Sequence, residues 1–125
     1  MVEPVILVVD DESAIRVMTK KFLERSGYKA LEADSGEAAL RILDQQPCVI
    51  ALLLTDIIMP GISGTELAEK ARKVQPTLPV IFMSGYCNNF AEALDGCRCL
   101  HKPFKPQELL SLMAETLAVK VKTAH

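Results

Sequence analysis

Val5-Ile6-Leu7-Val8-Val9 runs straight into Asp10-Asp11-Glu12, and the same shape recurs three more times along the chain. Val49-Ile50-Ala51-Leu52-Leu53-Leu54-Thr55 ends at Asp56, Val80-Ile81-Phe82-Met83 ends at Ser84, and Cys97 to His101 ends at Lys102-Pro103. Runs this short and apolar on both faces suit strands of a parallel sheet buried by helices. In such sheets ligands sit beyond the carboxyl ends of the strands. Each strand would then deliver its polar residue to one edge, where carboxylates, a hydroxyl and an ammonium meet. That group of side chains suits a divalent cation and a phosphoryl group.

The segments between these strands read as helices. Ser13 to Ser26 carries Ile15, Met18 and Phe22 at helical spacing, with Gly27 as the stop. Tyr28 to Glu32 reads as a second strand. Ser35 can cap a helix running to about Gln46 through Ala39, Leu40 and Leu43, and Pro47 ends it. The tight loop Met59 to Gly64 leads into a third helix, with a capping box from Ser63 to Glu66 and an apolar stripe of Leu67, Ala71 and Val74. Between Tyr86 and Gly96 there is room for only one or two amphipathic turns, around Phe90 to Leu94. Pro106 suits a first helical position, and Leu109, Leu110, Met113 and Leu117 turn the last helix inward. Five strand-helix units predict a doubly wound α/β sandwich. We expect one domain over residues 1–125, with a core over about 5–118 and a polar tail, 119–125, that frays.

Composition narrows the function classes. Half of the 125 residues are hydrophobic and 24% are charged, which suits a globular domain. A net charge of −2 gives no electrostatic reason to expect nucleic acid or a membrane as a direct partner. Val49 to Leu54 is too short to span a bilayer. Glu3 and Pro4 stand where a signal peptide would have its basic region, so the cytoplasm is the expected compartment. Cys97-x-Cys99-x-His101 would place three side chains on one face of a strand, with Cys87 as a conceivable fourth zinc ligand. The spacing fits none of the usual zinc frameworks, and we read these cysteines, with Cys48, as buried free thiols.

If the strands ending at Asp10-Asp11 and Asp56 are neighbours, three carboxylates crowd together and raise one another's pKa unless a cation compensates. An oxygen-rich, partly open cluster suits Mg²⁺. Lys102 and Ser84 would then serve an incoming anion. Taken alone, each of these residues has an ordinary role, the aspartates as helix caps and the lysine as solvated surface. Five of them at successive strand ends do not.

Laid out this way, the chain closely resembles the response-regulator receiver domain from about Val5 to Leu117. The resemblance rests on Val8-Val9-Asp10-Asp11-Glu12, on Thr55-Asp56-Ile57-Ile58-Met59-Pro60-Gly61-Ile62-Ser63-Gly64, on Met83-Ser84-Gly85-Tyr86 and on His101-Lys102-Pro103-Phe104. It implies a flavodoxin-like (βα)5 fold with strand order 2-1-3-4-5. Asp56 matches the aspartate that accepts a phosphoryl group from a histidine kinase or histidine phosphotransfer domain. Asp11 and Asp56 match direct Mg²⁺ ligands (Mn²⁺ being an alternative ion), with the Ile58 carbonyl as a third, and Asp10 matches an acid that holds the metal through water. Ser84 matches the switch hydroxyl, Lys102 the phosphate-binding lysine, and Lys102-Pro103 a cis peptide bond. Ile58 and Tyr86 flank the site and would tune loss of the phosphoryl group. As an isolated domain it would catalyse only its own phosphorylation and dephosphorylation, and would switch conformation to relay a signal.

Two departures from the family pattern bear on output. Cys99 stands where an aromatic switch residue is common, and the segment from Ser84 to Lys102 is short enough to shrink the fourth helix. With little apolar area left on that face, a monomer is expected. Three other readings compete. A haloacid-dehalogenase-type phosphatase needs a second aspartate where Ile58 stands. A flavodoxin-like electron carrier would not place Asp10-Asp11-Glu12 in its phosphate loop. An inert pseudo-receiver used for docking would not need all five site residues. The Met83-Ser84-Gly85-Tyr86 wording leans towards a receiver from a hybrid sensor histidine kinase, with a free-standing regulator close behind.

Overall fold

A computed structural model describes residues 4–45, 49–85 and 97–123, with side-chain surroundings through Leu117. In chain order the elements are β1 (Val5–Val9), α1 (Ser13–Arg25), β2 (Lys29–Ala33), α2 (Gly36–Gln45), β3 (Ile50–Asp56), α3 (Gly64–Val74), β4 (Val80–Ser84), β5 (Cys97–His101) and α4 (Pro106–Thr123). The five strands form one sheet in the order β2-β1-β3-β4-β5, and every neighbouring pair is parallel. This is the expected doubly wound sandwich.

Side-chain alternation splits the core in two. Val5, Leu7, Val9, Leu53, Val80 and Phe82 point to one face, where Ala39 and Leu43 of α2 and Leu67, Ala68 and Ala71 of α3 cover them. Ile6, Val8, Leu52, Leu54, Ile81 and Met83 point to the other, against Leu23 of α1 and Leu109 and Met113 of α4. Burial on both faces is why β1 and β4 are apolar at nearly every position rather than alternating.

Local signals stop the helices largely where the sequence suggested. Gly27 adopts φ +94° after α1, a left-handed conformation that glycine takes at least cost. Ser35 Oγ accepts the Ala38 amide at 3.1 Å, and Ser63 Oγ accepts the Glu66 amide at 3.2 Å. The Glu66 carboxylate turns to Lys70 at 3.3 Å. Two expectations need correction. Met18 is 60% exposed, and Thr19 and Leu23 take the inner face of α1 instead, because Thr19 satisfies its hydroxyl on the Ile15 carbonyl at 2.7 Å. Val74 ends α3 at 42% exposure, and the neighbouring Gln75 is buried in its place with Nε2 on the Ile50 carbonyl at 2.8 Å. The last helix spans Pro106–Thr123.

The proposed short helical turns between Tyr86 and Gly96, and Tyr86, Cys87, Cys48 and Pro47 themselves, lie outside the described residues. Cys97, read as a buried thiol, is half-buried and forms no disulfide. Cys99 is disulfide-bonded, which corrects its reading as a free thiol. Among the described residues no helix is long and apolar enough to cross a membrane.

Candidate functional site

The parallel register explains why the acidic residues meet. β1 and β3 are neighbours, and Val9 is opposite Thr55. The next residue on each strand is an aspartate, so Asp10 and Asp56 leave the sheet side by side, with Asp11 one residue further on. Carboxylate oxygens of Asp10, Asp11 and Asp56 all lie within 4.8 Å of one another. Asp10 is fully buried, Asp56 half-buried and Asp11 exposed, so the cluster opens to solvent on one side.

Each buried carboxylate is tied down by its own backbone. Asp10 Oδ1 accepts the Glu12 amide at 3.0 Å, and Asp56 Oδ1 accepts the Ile57 amide at 2.8 Å. Thr55 donates its hydroxyl to the Asp56 carbonyl at 2.9 Å. Lys102 reaches in from the end of β5, two strands beyond β3, and its Nζ lies 3.2 Å from both Asp10 Oδ2 and Asp56 Oδ2. The Lys102 amide donates to the Ser84 carbonyl at 2.8 Å, so the ends of β4 and β5 are joined beside the cluster. Ser84 is buried there, one residue past the pairing of Asp56 with Met83. The Lys102-Pro103 bond is cis.

The electrostatics are lopsided. Three carboxylates face one ammonium. Lys102 has its pKa raised: burial works against its charge, but Asp10 and then Asp56 outweigh that. Asp56 shares that ammonium with Asp10, and its pKa is raised by burial, with repulsion from Asp10 adding and Lys102 only partly offsetting. An all-oxygen donor set with excess negative charge fits a hard divalent cation. Asp10, Asp11 and Asp56 could hold such an ion and have their excess charge neutralised by it.

The loop after Asp56 is anchored from below. Gly64 at the start of α3 donates its amide to the Ile57 carbonyl at 2.7 Å, and Ile57 and Met59 are buried in the α2/α3 core. Ile58, two residues after Asp56, points outward at 72% exposure. Sequence reasoning missed Gly64, although a glycine closing a loop just before a helix signals close backbone approach. It also missed Arg16, which donates from Nη1 to the Asp10 carbonyl at 2.9 Å. A cleft of about 280 Å³, lined by Ile15, Met18, Lys102, Pro103 and Phe104, opens next to the site between α1 and the start of α4.

With this geometry in hand, the chain compares closely with known proteins. Residues 6–114 match the response regulator receiver domain. The response regulator receiver protein CpdR of Brucella abortus (strain 2308) is 34% identical over 116 residues, covering 90% of this chain and 95% of that protein. The sensor kinase CckA of the same organism is also 34% identical over 116 residues, 90% of this chain but 12% of the kinase. Among solved structures, the receiver domain of a hybrid histidine kinase CckA is 39% identical with a TM-score of 0.81, covering 90% of this chain and 98% of that one. A CheY-like receiver from Methanospirillum hungatei JF-1 is 32% identical with a TM-score of 0.89, over 98% and 99% of the two chains.

Proposed function

The chain belongs to the response regulator receiver family, and from that premise we propose that Asp56 is its phosphoacceptor, charged by a histidine kinase or a histidine phosphotransfer domain. The observation that carries this reading is the shared grip of Lys102 on Asp10 and Asp56, with a third carboxylate within 4.8 Å. A carboxylate oxygen of Asp56 attacks phosphorus, the phosphorus–nitrogen bond to the donor imidazole breaks, and the leaving nitrogen keeps its electron pair. Lys102 holds an oxygen of the incoming group, and Ser84 offers its hydroxyl to the acyl phosphate. Asp11, Asp56 and the Ile58 carbonyl would hold Mg²⁺ (or Mn²⁺), with Asp10 acting through water. When bound, that ion would neutralise charge on the transferring group. Ile58, and Tyr86 beyond the described residues, would shield the acyl phosphate from water. The isolated domain acts on no separate substrate.

The apolar cleft beside Lys102 supports docking of a phosphodonor domain. Met18 and the half-buried Ile15 and Phe104 give an apolar seat beside Lys102 and the carboxylate cluster. We place the domain in the cytoplasm as a monomer, with no direct contact to nucleic acid or membrane. In that compartment the Cys99 disulfide would stand mostly reduced.

Intact-mass spectrometry after incubation with acetyl phosphate tests the reading. One phosphoryl adduct that needs Mg²⁺ and vanishes in Asp56→Asn is the expected result. An equal adduct in that variant would sink the assignment, and no adduct in the wild type would favour an inert docking module.

A further inference from the structure

Asp10 and Asp11 supply two of the three clustered carboxylates, yet both belong to the short turn between β1 and α1. For their side chains to converge with Asp56, the backbone of that turn must be held. The Asp10 amide donates to the Ala33 carbonyl at 3.3 Å. The Asp10 carbonyl is held from the other side by Arg16 Nη1 at 2.9 Å. The same guanidinium donates from Nε to Glu32 Oε1 at 2.7 Å, and Glu32 stands on the edge strand β2. Lys20 joins this carboxylate at 3.5 Å. Arg16 thus reaches from α1 to β2 and clasps the metal-bearing turn on the way.

The residue types suit that task. A guanidinium presents several donors in a fixed fork, so one side chain can hold a carbonyl and a carboxylate together. A bare guanidinium this near three carboxylates would have a competing choice, to fold onto one of them. Glu32 turns it away and balances its charge, and the bond from Arg16 holds the Glu32 carboxyl below the ordinary carboxylate range, so it stays ionised. The hydrogen bonds of Arg16 go to the main chain and to Glu32, not to the clustered carboxylates.

We propose that Arg16, oriented by Glu32, is a positioning residue of the metal pocket: it fixes the Asp10–Asp11 turn so that both carboxylates face Asp56. This rests on the metal-site reading given above. The test is a Mg²⁺ titration of the labelled chain followed by amide chemical shifts. Arg16→Ala should weaken Mg²⁺ binding about tenfold, the scale typical for losing a group that orients a metal ligand. It should also displace the amide signals of Asp10 to Glu12 before any metal is added. Glu32→Gln should act in the same direction with a smaller effect. Arg98→Ala, which breaks a comparable surface pair with Glu115 at 3.3 Å, should leave Mg²⁺ affinity unchanged. The proposal is overturned if Arg16→Ala and Arg98→Ala both bind like the wild type, or if both weaken binding equally. Should Arg16→Ala fail to fold, Glu32→Gln carries the same comparison, because it keeps the side-chain shape and removes only charge. A wild type that binds no Mg²⁺ would sink the metal reading itself and this proposal with it, and the wild-type titration alone reveals that case.

Discussion

Asp56 is placed where its own ionisation opposes the fold. Burial and the neighbouring Asp10 raise its pKa against the partial help of Lys102. A carboxyl whose folded pKa lies above its unfolded one contributes stability below the unfolded value, and loses it as pH rises through the folded value. Metal-free wild type should therefore lose stability as pH rises from the ordinary carboxylate range through the raised Asp56 pKa, whereas Asp56→Asn should not. At neutral pH, without Mg²⁺, Asp56→Asn is expected to unfold a few degrees higher than wild type, a difference that shrinks in acid. Adding millimolar Mg²⁺ should raise the wild-type midpoint by relieving the same repulsion, and Asp11→Ala should abolish that gain. Thermal melts of the three proteins from about pH 3 to pH 8 check both statements. A Tm of Asp56→Asn below wild type at neutral pH would show that the Lys102 ion pair, not burial, governs this residue.

At the scale of elements, the decisive contact is the entry of α3 beneath β3, the strand that ends at Asp56. Gly64 is fully enclosed, and a Cβ there would collide with the Asp56 carbonyl and come within 2.9 Å of Ile57 Cα. Backbone atoms cannot give way as a flexible side chain can. Gly64→Ala should therefore cost about 1–3 kcal/mol, as overpacking of a tight site does. It should also slow Asp56 phosphorylation in the folded fraction, because relief of the clash moves the strand end that carries the nucleophile. Urea unfolding gives the first quantity, and phosphorylation rate at matched folded fraction gives the second. Wild-type values for both would mean that the loop absorbs the methyl group. The helix ends themselves were legible in sequence, since Ser35, Ser63 and Gly27 act through neighbours within three residues. Rotation of α1 was not. Met18 and Thr19 compete for the inner face, and the outcome depends on which one the sheet and α4 leave room for.

Across the whole molecule, the sandwich brings the reactive edge and an apolar cleft to one end. Helix α1 packs on the same sheet face as α4, so Ile15 and Met18 come to border Lys102, Pro103 and Phe104. On the proposed function, a small phosphodonor needs only the carboxylate cluster, while a protein donor needs the cleft as well. Met18→Glu should therefore lower phosphoryl transfer from a phosphohistidine domain about tenfold, the effect of some 1.4 kcal/mol at an interface. It should leave phosphorylation by acetyl phosphate unchanged. Equal loss with both donors would locate the damage at the site rather than at the docking surface.

Sequence by itself determined the strands of the sheet and pointed to most of the candidate site residues. Strands buried on both faces must be apolar throughout, and Asp10, Asp11, Asp56, Ser84 and Lys102 stand where such runs stop, so one-dimensional pattern sufficed. Only the tertiary structure decided how those residues divide their contacts. Lys102 and Asp10 are 92 positions apart, and no local pattern states that one ammonium is shared between two carboxylates. Arg16 and Glu32 likewise look like ordinary surface charges until β2 pairs with β1 and brings them together around the Asp10 carbonyl. Propensity and periodicity act between near neighbours along the chain, whereas charge sharing depends on distance in space, which the packing of the sheet sets.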